Sequence, residues 1–302
     1  MKNIFKNKII LITGGTGSFG NSFTKILLKK YQIKKLIIFS RDEMKQWFMK
    51  EKFKDKRIKF VIGDVRDEDS IINASRNVDF IIHAAATKIV PTAEVNPIEC
   101  IKTNILGAQN VIKATSLNKV KKVVALSTDK ACNPINLYGA TKLASDKLFI
   151  AANSIEDSKV CKFSVVRYGN VIGSRGSLIP FFLEKKKDKF FPITHPEMTR
   201  FLITLDKGIN LVFLAFNDML GGELYVSKIP SVYIKEIPKL IKKNAKIKYI
   251  GIRPGEKLHE KMISEDDSLF TYKYEDYFKI LPSFMNDTER KKYIKKGKRV
   301  PK

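Results

Sequence analysis

Cysteine, histidine and acidic side chains are all scarce in this chain of 302 residues, which has three cysteines, three histidines and 31 acidic residues against 57 basic ones. Cys100, Cys132 and Cys161 lie far apart and form no C-x-x-C pair. Any pairing leaves one unmatched, so a disulfide-stapled scaffold is excluded and a reducing, cytoplasmic setting is expected. Each cysteine reads as a small buried hydrophobe. His83, His195 and His259 show no metal-ligand spacing, and no metal site is assigned. Long apolar runs are missing too. Stretches such as Val78 to Ala86 and Leu211 to Phe216 fall short of the roughly 18 residues of a membrane helix, so no spanning segment is expected. Ile9 to Ile12, behind Lys2, Lys6 and Lys8, is too short for a signal peptide and reads as a buried first strand.

The shortage of acid leaves a formal charge of +26. The excess is mostly lysine scattered over the predicted helices, without arginine-aromatic alternation or a nucleic-acid motif, so it describes a solvated surface and no specific nucleic-acid partner. Only Arg290 to Lys302 concentrates the charge, with eight basic residues and no acid, and residues 286–302 are expected to form a mobile basic tail. At 44% hydrophobic and 29% charged residues the rest is an ordinary globular composition, long enough for one large domain or two moderate ones.

Short Ile/Val/Leu strands alternate with helical patterns through the first half. Strands are expected at Lys8 to Thr13, Lys35 to Ser40, Ile58 to Ile62, Asp79 to Ala84, Lys121 to Ser127 and Phe163 to Tyr168. Helices are expected at Ser18 to Lys30, Glu43 to Lys52, Asp67 to Asn73, Asn96 to Leu117 and Tyr138 to Ala152. Near-continuous apolar strands between helices imply an α/β, doubly wound parallel sheet covered on both faces. After Tyr168 glycine and proline turns take over. The expected organisation is a dinucleotide-binding Rossmann domain over 1–168, rejoined by 206–226, and a smaller discontinuous substrate domain from 169–205 and 227–285. That second domain would close over the carboxyl ends of the strands, where such sheets bind ligands.

The first strand runs into Thr13-Gly14-Gly15-Thr16-Gly17-Ser18-Phe19-Gly20, a G-x-G-x-x-G turn that opens a helix. Without Cβ atoms such a turn lets backbone amides approach a pyrophosphate at a helix N-terminus. About 20 residues beyond the last glycine, where an acid would bond an NAD ribose, stand Ser40 and Arg41. A hydroxyl and a guanidinium suit a 2′-phosphate, with Lys45 as helper, so NADP is expected. The alternative is Asp42 turned inward onto a ribose diol, which would select NAD. Asp64 and Val65 end the third strand near the adenine, and Ala84 offers a small residue where backbone must lie close to the cofactor.

After the fifth strand comes Ser127-Thr128-Asp129-Lys130, followed by Tyr138-x-x-x-Lys142. Tyr138 and Lys142 share a helix face. An ammonium beside the tyrosine and an oxidised nicotinamide would favour its phenolate and let it take a hydroxyl proton. With the glycine loop, this pair marks a short-chain dehydrogenase/reductase.

Thr13 to Gly20, Asn104 to Gly107 and Tyr138 to Lys142 resemble the extended short-chain dehydrogenases that act on nucleotide sugars. Ser40 to Glu43, Gly63 to Asp67, Ser127 to Ala131, Asn133 to Lys142, Val166 to Val171 and Arg253 to Glu260 resemble, more narrowly, the inverting UDP-N-acetylglucosamine 4,6-dehydratases of pseudaminic acid biosynthesis. The resemblance covers residues near 8 to 280. It implies oxidation at C4 by NADP, loss of water across C5 and C6, and hydride return to C6. It further implies that Lys130 takes and returns the C5 proton, that Asp129 protonates the departing hydroxyl, and that Thr128 and Tyr138 complete the catalytic set. Retaining dehydratases carry Glu in place of Lys130. A lysine base must be neutral, which burial and the nicotinamide charge are expected to secure; a Lys130 merely paired with Asp129 is the alternative.

By the same resemblance the cofactor is held by Gly14, Thr16, Gly17, Ser18, Phe19, Gly20, Lys88, Tyr138 and Lys142 in addition to Ser40, Arg41, Lys45, Asp64, Val65 and Ala84. The substrate meets Lys88, Ser127, Thr128, Asn170 and Glu256, with Arg200 and Arg253 as the cations for its diphosphate. Thr87 and Ile89 depart from the usual Leu and His, which touches fine substrate positioning more than the reaction. Tyr138, where membrane-bound relatives often have Met, and the chain length favour the soluble enzyme. Relatives assemble as dimers or hexamers, so a homo-oligomer is expected. The rival readings are another nucleotide-sugar enzyme, namely a C4 epimerase, a retaining dehydratase or a C5 epimerase coupled to dehydration of a different N-acetylhexosamine, and a non-catalytic NADP- or polyanion-binding scaffold.

Overall fold

In a computed structural model the chain is described over residues 3–155, 160–174 and 176–300. Alternation of strand and helix runs through the first half as β1 (Ile9–Thr13), α1 (Ser18–Lys30), β2 (Lys35–Ser40), α2 (Glu43–Phe53), β3 (Ile58–Ile62), α3 (Glu68–Ala74), β4 (Phe80–His83), α4 (Val90–Val95), α5 (Pro97–Ile101), α6 (Gly107–Leu117), β5 (Lys122–Thr128), α7 (Leu137–Ile155) and β6 (Lys162–Tyr168). The second half adds β7 (Asn170–Val171), α8 (Leu178–Glu184), β8 (Phe191–Ile193), β9 (Thr199–Ile203), α9 (Leu205–Asp218), β10 (Leu224–Ser227), β11 (Ser231–Tyr233), α10 (Ile237–Ile241) and β12 (Ile247–Tyr249). It ends with α11 (Glu265–Ser268), β13 (Thr271–Lys273), β14 (Tyr277–Ile280), α12 (Asp287–Ile294) and β15 (Lys298–Arg299).

The main sheet has the order β15-β13-β14-β10-β6-β5-β4-β1-β2-β3, parallel from β3 to β10 and antiparallel beyond. Its strands are apolar along their length because both faces are covered. One face packs α1 and α9 through Phe23, Leu27, Val212 and Phe216; the other packs α3, α6 and α7 through Ile71, Val111 and Phe149. Phe5 anchors the first face, edge-on to Phe80, Phe213 and Phe216. Burying each such ring contributes about 1.5–3 kcal/mol. Order reverses between β1 and β4, so the loops after these two strands diverge and leave a crevice at their carboxyl ends.

A third, smaller core of Phe182, Phe191, Ile193, Met198, Ile234 and Ile237 joins the pieces that follow β6. It carries two small sheets, β11-β9-β7 and β12-β8. The expected second domain differs from this arrangement at one place. Residues 271–280, assigned to it from sequence, extend the main sheet as β13 and β14.

Two further elements differ from expectation. The single helix expected over Asn96 to Leu117 is continuous from Pro97 to Leu117, but Lys102–Leu106 widens it into a π-helical turn between α5 and α6. The basic tail is also folded, apart from 301–302, which lie outside the described residues. Asn286 and Glu289 form a reciprocal capping box for α12, and β15 pairs with β13. Lys279, buried in the sheet, donates to the Tyr293 carbonyl at 3.0 Å, and Tyr274 donates to that of Ile294 at 2.6 Å. Backbone carbonyls, which composition does not report, hold this segment down. No helix among the described residues is long and apolar enough to cross a membrane.

Candidate active site

At the end of β1 the Thr13 hydroxyl accepts the backbone N–H groups of Ala84 and Ala85, both at 3.2 Å, which ties the glycine turn to the end of β4. The chain then turns through Gly14 to Gly17 into α1, whose cap, Gly17, offers no side chain and whose first turn holds no acid. That end of the helix keeps its amides and positive dipole for an anion. A Cβ at Gly20 would overlap the Gly15 carbonyl, so the helix can lie this close to the turn only with glycine there. Phe19 stacks on Phe23 beneath the loop, with ring centroids 5.8 Å apart.

Thr16 donates to the Ser40 hydroxyl at 3.3 Å, and Gln46 donates to the same hydroxyl at 3.1 Å and to the Val61 carbonyl at 2.8 Å. Ser40 therefore links the glycine turn to the end of β2 from inside. Arg41 is exposed and stands 3.5 Å from Asp64. Asp42 caps α2 by accepting the Lys45 N–H at 2.9 Å and pairs with the Lys45 ammonium. Its carboxylate faces its own helix. Burial pushes Asp64 up, but the Arg66 guanidinium and backbone N–H outweigh it and hold the carboxyl below its usual range. Val65 is buried behind it.

The wide turn at Lys102–Leu106 aims Asn104 inward. Its side chain accepts from the Thr87 N–H at 2.8 Å and donates to the Thr87 carbonyl at 2.9 Å and to the Thr141 hydroxyl at 3.0 Å. This clamps the Ala84 to Lys88 segment against α7. Desolvation lowers the pKa of the Lys88 ammonium on that segment.

Beyond β5 the backbone folds into a tight turn over Asp129–Ala131. Thr128 donates to Asp129 Oδ1 at 3.0 Å and accepts the Lys130 N–H at 3.3 Å. Lys130 Nζ lies 3.0 Å from Asp129 Oδ1 and 3.2 Å from Glu260 Oε1. Both carboxylates are buried, while the Lys130 side chain keeps a fifth of its surface exposed. Helix α7 sits on this turn at Gly139, where a Cβ would overlap the Lys130 carbonyl oxygen. Ser127 is directed away from the crevice, donating to buried Asp146 at 2.6 Å.

The electrostatics differ from expectation at two places. Burial would lower the pKa of Lys130, but Asp129 and Glu260 more than compensate, and the ammonium is held above the usual lysine value. Without ligands the pair is therefore an ion pair and the lysine is charged. Tyr138 is buried and pushed up to about 12; the cation that counters this is Lys130, helped by a hydrogen bond with Thr128. Lys142, expected in that role, is buried with its own pKa lowered by desolvation and bears instead on His83, which burial and Lys142 push down to about 3.

The smaller unit brings the remaining residues to the same crevice. Arg200 is buried, donating to the carbonyls of Thr199 at 2.7 Å and Leu258 at 3.1 Å, and stands 3.4 Å from Glu256. Exposed Arg253 reaches Glu256 at 3.2 Å. Asn170 opens β7, paired with Leu202 of β9. The 253–260 segment is fastened to the catalytic turn where Asn136 donates to the Gly255 carbonyl and Lys257 to that of Cys132, both at 2.7 Å. Glu260 and Gly139 carry no role in the sequence reading. The acid that ends Arg253 to Glu260 was a visible signal, but its pairing across 130 positions was not.

The description of the matching family model is polysaccharide biosynthesis protein, over residues 10–282. The chain is 58% identical to the UDP-N-acetylglucosamine 4,6-dehydratase (inverting) of Campylobacter jejuni, over 93% of this chain and 84% of that one. It is 44% identical to a protein of Rickettsia bellii named UDP-glucose 4-epimerase, over 98% and 89%. The crystal structure of Pen from Bacillus thuringiensis superimposes with a TM-score of 0.91 at 38% identity, covering 99% of this chain and 92% of that one. Dehydratases and epimerases of more distant sequence that share the fold were solved with NAD. The chain belongs to the polysaccharide biosynthesis protein family of extended short-chain dehydrogenases, in the branch of the inverting UDP-N-acetylglucosamine 4,6-dehydratases.

Proposed function

We propose that the protein converts UDP-N-acetylglucosamine, with NADP, to UDP-2-acetamido-2,6-dideoxy-β-L-arabino-hex-4-ulose by 4,6-dehydration with inversion at C5. The observation that carries this reading is the Asp129–Lys130 pair at 3.0 Å beside Tyr138. An elimination needs one group to take the C5 proton and another to protonate the leaving hydroxyl; a C4 epimerase needs neither, and a C5 epimerase needs only the first.

The glycine turn fits a dinucleotide, since Gly20 packs α1 on the turn with no room for a Cβ and the start of α1 carries no side-chain cap and no acid. NADP is favoured because Asp42 is spent on capping α2, which leaves Arg41 and Lys45 as the groups nearest a 2′-phosphate. When bound, the dinucleotide accepts a hydride from the sugar and returns it. Gly14 to Gly20 would hold its pyrophosphate, and Asp64 and Val65 would border its adenine.

Tyr138 would receive the C4 hydroxyl proton, and the positive charge at Lys130 opposes the burial that pushes this phenol up to about 12. Once C4 is a ketone, the C5 proton is acidic. Lys130 can then pass a proton to the Asp129 carboxylate, which gives an amine and a carboxylic acid. The amine takes the C5 proton as the acid protonates the departing C6 oxygen, and ammonium and carboxylate are restored. Pairing with Asp129 is thus no obstacle to base catalysis, because the pair holds the one proton the elimination moves. Arg200 and Arg253 would exchange part of their hold on Glu256 for the substrate diphosphate.

Consumption of UDP-N-acetylglucosamine by the purified chain, with loss of turnover in Lys130→Ala and Tyr138→Phe, tests the reading. Unchanged turnover in both variants would reject it and favour a binding scaffold.

A further inference from the structure

We propose that Glu260 is a positioning residue for the elimination: together with Asp129 it fixes the Lys130 nitrogen so that its remaining tetrahedral direction faces the bound sugar. This rests on the dehydratase reading above and names a residue it does not contain. Glu260 Oε1 and Asp129 Oδ1 lie 3.2 and 3.0 Å from Nζ, and both carboxylates are buried while a fifth of the Lys130 side chain is exposed, so the side left for a substrate is the one turned away from the two carboxylates. A neutral amine has two N–H bonds and one lone pair. With the transferred proton held by the Asp129 carboxyl, one N–H of the amine stays with Asp129 and Glu260 accepts the other. The lone pair is then left for the C5 proton. Glu260 is itself backed by Lys257 at 3.5 Å, whose ammonium is tied to the Cys132 carbonyl, so it is held from behind. The charged and titratable groups around Lys130 are Asp129, Glu260, Arg200 and Tyr138, the last two opposing its positive charge or sharing its field.

Two variants separate aim from charge. Glu260→Ala removes the anchor and should lower kcat on the order of 10²-fold with little change in KM, as expected for a misaimed base. Glu260→Gln keeps an acceptor oxygen, should lose less, and should move the falling limb of the kcat–pH profile to lower pH, because one anion no longer favours the ammonium and the pair gives up its one proton more easily. A ¹⁵N NMR titration of the Lys130 amine in the ligand-free chain should show the same downward shift. Wild-type kcat and pH profile in both variants, or losses that only follow the unfolded fraction, would overturn the proposal. If the wild-type chain does not consume UDP-N-acetylglucosamine, the dehydratase reading fails on its own, while an unshifted titration in Glu260→Gln shows that Glu260 does not govern Lys130.

Discussion

The ammonium of Lys130 lies 3.0 Å from the carboxylate of the residue before it, Asp129. Consecutive side chains on an extended strand point to opposite faces, and only the tight turn at Asp129–Ala131 lets them meet. Acid and base are therefore created together. In Lys130→Ala, kcat should fall by about 10²- to 10⁴-fold. The variant keeps Tyr138 and the glycine turn but loses the charge that counters the burial of Tyr138, so a single turnover should oxidise C4 more slowly, and the absorbance of reduced nicotinamide should still rise and persist. Loss of elimination with no build-up of that absorbance at any time would contradict a base role for Lys130 after the oxidation.

Gly139 sets how closely α7 rests on the catalytic turn. Gly139→Ala forces a Cβ onto the Lys130 carbonyl oxygen and should cost about 1–3 kcal/mol in urea unfolding. It should also reduce kcat more than it reduces affinity for the dinucleotide, since the glycine turn after β1 is untouched.

Dinucleotide choice should follow Arg41. With Asp42 committed to capping α2, Arg41→Ala should weaken NADP binding by about tenfold or more, as for one lost hydrogen bond between charged groups, and leave NAD binding nearly unchanged. Titration calorimetry with the two dinucleotides reads this. Equal weakening of both would mean that Arg41 contacts something other than the 2′-phosphate.

His83 makes stability pH-dependent. Its pKa is pushed down to about 3, below the ordinary histidine value of about 6.5, so between these values the unfolded chain binds a proton that the folded chain does not. Stability from this group is complete above pH 6.5 and is lost as pH falls toward 3, by about 1.4 kcal/mol per unit. Urea unfolding at successive pH values should show that slope in the wild-type chain and its loss in His83→Gln.

Much of this arrangement was legible in sequence because the signals are local. The strands are unbroken Ile/Val/Leu runs, and Asp129, Lys130 and Tyr138 fall within ten positions on one strand–turn–helix passage. Glu260 was not legible, since its partner is Lys130 and only the packing of the second unit on the first brings them together. The charge held on Lys130 in the ligand-free chain was not legible for the same reason: its burial and Asp129 show in the local sequence, and the second carboxylate does not. The Asn96 to Leu117 pattern keeps helical periodicity through the wide turn that aims Asn104, so the local widening left no mark. At the end of the chain, lysine-rich composition masked carbonyl acceptors that Lys279 and Tyr274 seize.

The most direct test of the account is NMR of the product formed from UDP-N-acetylglucosamine in deuterium oxide by the chain supplied with NADP. The account predicts a 4-keto-6-deoxy sugar with deuterium at C5 and inverted configuration there. A C4 epimer that keeps its 6-hydroxyl, or a 4-keto-6-deoxy sugar with C5 unchanged, would contradict it.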